Sequence, residues 1–137
     1  MTNANASGEA IARRLHAAEG TSRALGLEFE SASEGAARAS MVIREDMLNG
    51  HGVAHGGMIF LLADTAFAWA CNSRNVKTFA QHAAISFLAP ARLGEKLIAE
   101  AREDAIEGRS GVYSVRVTGD GGRVIAIFEG LSRSVGG

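Results

Sequence analysis

Asp64 is the only charged residue in the run Met58–Cys71, MIFLLADTAFAWAC, and that run opens directly after the glycine-rich segment Asn49–Gly57, NGHGVAHGG. The run reads as a helix that is apolar on every side, the pattern of a buried helix. At helical spacing the neighbours of Asp64 are Phe60, Leu61, Phe67 and Ala68, none of which neutralises a carboxylate, and no Lys or Arg follows until Arg74. Burying an unpaired carboxylate is costly and Asp is a mediocre helix former, so stability gives little reason for it here. A carboxylate placed this way is expected to serve chemistry, as general base for water or as direct nucleophile.

Other reactive residue types are less informative. His51 and His55 stand four apart, but they lie in the loop with no third ligand nearby, so no metal site is expected. The loop lacks both GxGxxG and a Walker lysine, which argues against a nucleotide-phosphate cradle. Asn49 is by type a turn former. Cys71, seven residues beyond Asp64 and without a histidine at hand in sequence, reads as a buried apolar residue.

The elements that must position Asp64 follow from the rest of the chain. At 137 residues it forms one domain, 1–137, with the small polar residues 1–7 expected to fray. Net charge −1 makes no electrostatic case for nucleic acid or an anionic membrane, and the apolar run is too short to span a bilayer. No basic segment followed by an apolar stretch opens the sequence, and the single cysteine fits a reducing compartment, so a cytoplasmic location is expected. Ile11, Leu15, Ala18 and Leu25 predict one amphipathic helix over 8–25. Strands are predicted over 27–32, 36–44, 79–88, 96–106, 112–118 and 123–134, the last four as an antiparallel meander. The fold class is therefore α+β: a sheet of about six strands wrapped around one long helix, plus an N-terminal helix.

The block NGHGVAHGGMIFLLADTAFAWACNSR, residues 49–74, resembles the signature of hotdog-fold acyl-CoA thioesterases, and within them the phenylacetic-acid-degradation (PaaI-type) subfamily. ISFLAPARLGEKLIAEA, GVYSVRV and GGRVIAIFEG fit the same family's strands, so the likeness extends over about 110 residues. It implies a curved antiparallel sheet around the central helix, and homodimers at minimum with active sites at the interface. Two such dimers are expected to form a tetramer. It makes Asp64 the catalytic carboxylate and Gly56 the residue whose backbone N–H polarises the thioester carbonyl; His55 and Asn49 line the reacting centre. The family often places a hydroxyl at the start of the strand after the helix. Here that stretch reads Ala80-Gln81-His82-Ala83, leaving Gln81 and His82 as the candidate substitutes.

Thioester hydrolysis needs a base or nucleophile at the carbonyl carbon and donors at the oxygen where charge develops. Helix N-termini supply such donors, and Gly56 and Gly57 leave the backbone there uncovered. Gly56 and Asp64 are eight residues apart, about 12 Å along a helix, so one carbonyl cannot touch both within one chain. Two antiparallel helices related by a two-fold bring them together, which points to a homodimer independently of the family. The expected substrates are (hydroxy)phenylacetyl-CoA or related acyl-CoA, with no cofactor beyond the coenzyme A of the substrate. Two alternatives stay open: a hydratase or dehydratase of enoyl or hydroxyacyl thioesters, and a non-catalytic acyl-CoA sensor.

Overall fold

The computed structural model describes residues 7–135. The elements run α1 (Gly8–Ala18), α2 (Gly20–Leu25), β1 (Glu28–Ser33), β2 (Ala36–Val42), a short 3-10 turn (Glu45–Met47), α3 (Gly56–Cys71), β3 (Thr78–Phe87), β4 (Lys96–Glu107), β5 (Ser110–Thr118) and β6 (Val124–Ser134). The strands make one sheet, ordered β1-β2-β4-β5-β6-β3, with every neighbouring pair antiparallel. The fraying expected for residues 1–6 lies outside the described residues. Ser7, by contrast, is ordered as the cap of α1, its hydroxyl accepting from Ala10 N at 3.1 Å.

Period-two alternation sets the inner face of the sheet. Ala37, Ala39 and Met41 of β2, Leu97, Ala99 and Ala101 of β4, and Tyr113, Val115 and Val117 of β5 are all buried. Against them lies α3, whose Ala63, Ala66 and Ala70 have no exposed surface. Small residues on both sides let helix and sheet approach closely, and aromatic rings fill what remains: Phe67 stacks edge-on against Tyr113 at 5.5 Å and tilts against Phe128 at 5.7 Å. Gly130 is required there, because a Cβ would stand 2.7 Å from the Phe67 ring.

Two sequence expectations are corrected. The helix over 8–25 is two helices, broken at Glu19, which is extended (φ −86°, ψ 105°). There its carboxylate accepts from Trp69 Nε1 at 3.0 Å and from Ser22 Oγ at 2.6 Å, a tertiary tie that no local pattern encodes. The meander holds only for β4-β5-β6. β3 pairs with β6 at the far edge, because the eight residues 88–95 that follow it, including Pro90, are longer than a hairpin loop. The sheet curves around α3 as expected, packing on it with β2, β4 and β5 above all, and leaves one stripe of the helix less covered. Phe60, Leu61, Asp64, Thr65 and Ala68 form a half-buried stripe, and β3 is exposed along most of its length, with Phe79 and Phe87 about half exposed. None of the described helices is long and apolar enough to cross a membrane.

The loop after β3 is anchored by Glu95, which is 4% exposed. It accepts from Arg92 N at 2.9 Å, from Asp120 N at 2.8 Å and from Arg123 Nη2 at 3.2 Å, tying the entry of β4 to the β5–β6 turn. Gly119 leaves it room, since a Cβ there would sit 2.1 Å from Glu95 Oε2. Burial alone would raise the pKa of this carboxyl, but the two backbone donors and Arg123 outweigh it and hold the group below the ordinary range. A depressed folded pKa stabilises above the unfolded pKa, and that stability is lost as pH falls through the folded one. We predict that Glu95→Gln costs about 2–4 kcal/mol in denaturant unfolding at neutral pH, with the difference from wild type shrinking on acidification.

Candidate active site

The segment 49–57 is folded by Asn49. Its Oδ1 accepts from His51 N at 2.9 Å and Val53 N at 3.3 Å, while its backbone N–H donates to Val53 O at 2.7 Å. Gly52, at φ +79°, takes the left-handed turn that this closure requires. The segment is then pinned to its surroundings through Ala54 N to Ala91 O and His55 N to Met47 O, both 2.8 Å. These bonds fix where α3 begins.

His55 is the N-cap of α3: its Nδ1 accepts from Gly57 N at 3.0 Å. In the neutral ring this bond assigns the proton to Nε2, which points a donor outward. Met58 N donates to His55 O at 2.9 Å. Among the described residues the Gly56 N–H has no acceptor, so it is the free donor of the first turn, at the positive end of the helix dipole. Beside it lies a hollow of ≈ 400 Å³, walled by Asn49, Ala54, Gly56, Ile59 and the segment Phe87–Pro90.

Asp64 lies two turns further along the same helix. Among the described residues its carboxylate has no hydrogen-bond or ion-pair partner; its surroundings are the half-buried stripe of Phe60, Leu61 and Ala68. Desolvation, and secondarily the negative charge of Glu19, raise its pKa above the ordinary aspartate value. The Cys71 thiol is pushed up to about 12, by burial first and by the Asp64 charge second, which leaves it protonated and inert as a nucleophile at neutral pH.

The sequence-predicted residues divide into two groups. Asn49, His55, Gly56 and Gly57 converge at the head of α3. The Gly57 N–H is spent on the His55 cap, so what Gly57 contributes there is an uncovered backbone, where a Cβ would come 3.2 Å from His55 Nδ1. Asp64 stands about 12 Å away along the helix. Gln81 sits at the β3 bulge with its amide donating to Ser132 O at 3.2 Å and Ser110 Oγ at 3.3 Å, and His82 follows it on the exposed edge; neither bonds to the groups on α3. No cluster of three or more His, Cys, Asp or Glu suited to a metal occurs among the described residues. Two residues escaped the sequence reading. Glu19 carries no local signal of its approach to α3. Phe87 was detectable, because Ala83, Ile85 and Phe87 alternate onto the inner face of β3.

The model of the thioesterase superfamily matches residues 51–126, more than half of the chain and the whole of α3. This chain belongs to that superfamily. It is 37% identical over 126 residues to the acyl-coenzyme A thioesterase PaaI of Escherichia coli (strain K12), covering 92% of this chain and 90% of that relative. The solved structure of the E. coli PaaI protein from the phenylacetic acid degradation operon agrees with a TM-score of 0.91 over 93% of each chain. A mutant structure of the phenylacetic acid degradation protein PaaI from Thermus thermophilus is 32% identical, with a TM-score of 0.82 over 85% of this chain and 100% of the other. The sheet and central helix are those of the hotdog fold.

Because folding holds Asp64 without a partner, the fold is stabler without its charge. A raised folded pKa means that stability is lost as pH rises from the unfolded pKa to the folded one, with the whole penalty present above it. Asp64→Asn is therefore expected to raise Tm at neutral pH, with the gain fading as pH falls and Asp64 protonates; thermal unfolding across pH checks this. A clear drop in Tm at neutral pH would mean that the carboxylate has a structural partner.

Proposed function

We propose that this member of the thioesterase superfamily hydrolyses acyl-CoA to the free acid and coenzyme A, with phenylacetyl and ring-hydroxylated phenylacetyl thioesters as its substrates. The observation that carries the reading is helix α3 itself, which offers one N–H at its start and one carboxylate two turns on, both without a partner among the described residues. The extensive likeness to the E. coli PaaI thioesterase supports the same reaction.

In this reading the thioester carbonyl oxygen accepts from the Gly56 N–H, whose dipole favours the developing negative charge. Asp64 takes a proton from water as the water oxygen attacks the carbonyl carbon. Collapse of the tetrahedral species breaks the C–S bond, and the proton held by Asp64 passes to the departing thiolate. Direct attack by Asp64, giving an anhydride that water then opens, uses the same groups. His55 Nε2 and the free amide of Asn49 orient thioester and water; Gly57 keeps the approach clear, and Gln81 and His82 border the substrate from β3. Coenzyme A enters only as part of the substrate, and no metal or other cofactor is required.

The active unit is a homodimer, with sites built from Gly56 of one protomer and Asp64 of its partner. About 12 Å of helix separates the two groups, against contacts near 3 Å at a reacting carbonyl. The exposed edge of β3 and the half-buried stripe on α3 support a second copy as the missing cover. Pairing of two dimers into a tetramer and a cytoplasmic setting complete the proposal.

Asp64→Asn is expected to lower thiol release from phenylacetyl-CoA by about 100-fold or more, at unchanged secondary structure, because it removes the base and keeps the shape. Turnover near the wild-type rate would exclude Asp64 as the reacting group.

A further inference from the structure

The tip of the Phe87 ring is aimed at the head of α3. A Cβ built on Gly56 would lie 3.0, 3.4 and 3.5 Å from Cζ, Cε1 and Cε2 of that ring, so the ring borders the glycine whose N–H is free. Phe87 nevertheless remains 53% exposed and the adjoining Leu88 63%, an apolar exposure that the core of one chain does not explain. Both residues wall the ≈ 400 Å³ hollow that opens beside Gly56. Its other walls, Ala54, Ile59 and Ala89 among them, are apolar and include no charged residue. The polar exception is Asn49, whose side-chain oxygen is occupied by its own turn, leaving the amide N–H₂ as the available donor.

We infer that Phe87 is a specificity-determining residue, the aromatic wall against which an aryl-acyl group packs while its thioester carbonyl rests on the Gly56 N–H. The inference rests on the thioesterase reading and deepens it. An apolar hollow without charged groups suits the acyl side of the thioester rather than the phosphates or amides of coenzyme A. A phenyl ring presented to that space gains edge-to-face or offset stacking with an aryl substrate, which an aliphatic acyl group of two to four carbons cannot match. Phe87 therefore acts on the choice of acyl group and on the seating of the carbonyl, not on proton transfer.

The test compares kcat/KM for phenylacetyl-CoA and butyryl-CoA in wild type, Phe87→Ala and Phe87→Tyr, with oligomeric state measured by light scattering. Phe87→Ala is expected to lower the phenylacetyl value by about tenfold or more while moving the butyryl value by less than about threefold. Phe87→Tyr, which keeps the ring, is expected to restore the aryl preference. Equal losses on both substrates, unchanged values on both, or a loss that tracks dissociation of the oligomer would each overturn the assignment of Phe87 alone. Absence of thiol release by the wild-type protein from every acyl-CoA would instead overturn the thioesterase reading, and this inference with it.

Discussion

The rise of an α-helix, about 1.5 Å per residue, is the constraint from which the rest of this account follows. It sets the free N–H of Gly56 and the carboxylate of Asp64 about 12 Å apart on one rigid rod, while hydrolysis of a thioester asks for both within hydrogen-bond reach of one small group. No rotamer of Asp64 spans that gap. The chemistry written along α3 is therefore incomplete in a single chain and becomes complete when a second helix runs past the first in the opposite sense. The half-buried stripe on α3 and the open edge of β3 are the surfaces that such an arrangement would cover.

Everything else serves to hold that rod. Alanines on the helix and on β2 and β4 bring it close to the sheet, and the aromatic cluster of Phe67, Tyr113 and Phe128 fixes its middle. The Asn49 turn and the His55 cap decide at which residue the helix starts, and hence which N–H is left without an acceptor. At the other end, Asn72 donates to Ala68 O at 2.8 Å and to Thr78 O at 3.0 Å, joining the end of the helix to β3. These contacts offset the cost of keeping a partnerless carboxylate in partly apolar surroundings, a cost that folding alone gives no reason to bear.

Much of this was legible in the sequence, because the relevant signals are local. Alternation in 36–44 and 112–118 marked the strands and their inner faces, and the apolar run marked α3 and the anomaly at Asp64. What escaped depends on residues far apart in the chain. The break at Glu19 is set by Trp69, fifty positions away. The place of β3 at the far edge is set by competition for β6, which periodicity does not record. Glu95 reads as an ordinary turn carboxylate until Asp120 and Arg123 close on it. The resemblance of residues 49–74 supplied the family, but the contact of Phe87 with Gly56 lies partly outside that block and needed coordinates.

Subunit complementation tests the central claim most directly. Asp64→Asn and Gly56→Pro each disable one half of the proposed site. Proline at the first helical position deletes the N–H while keeping a helical φ. Mixed after reversible dissociation, the two inactive variants should form heterodimers in which one site carries both lesions and the other carries neither. Random pairing then predicts recovery of about a quarter of the wild-type activity. Heterodimers that form, as mass spectrometry would establish, yet show no activity would contradict a site built from Gly56 of one protomer and Asp64 of its partner.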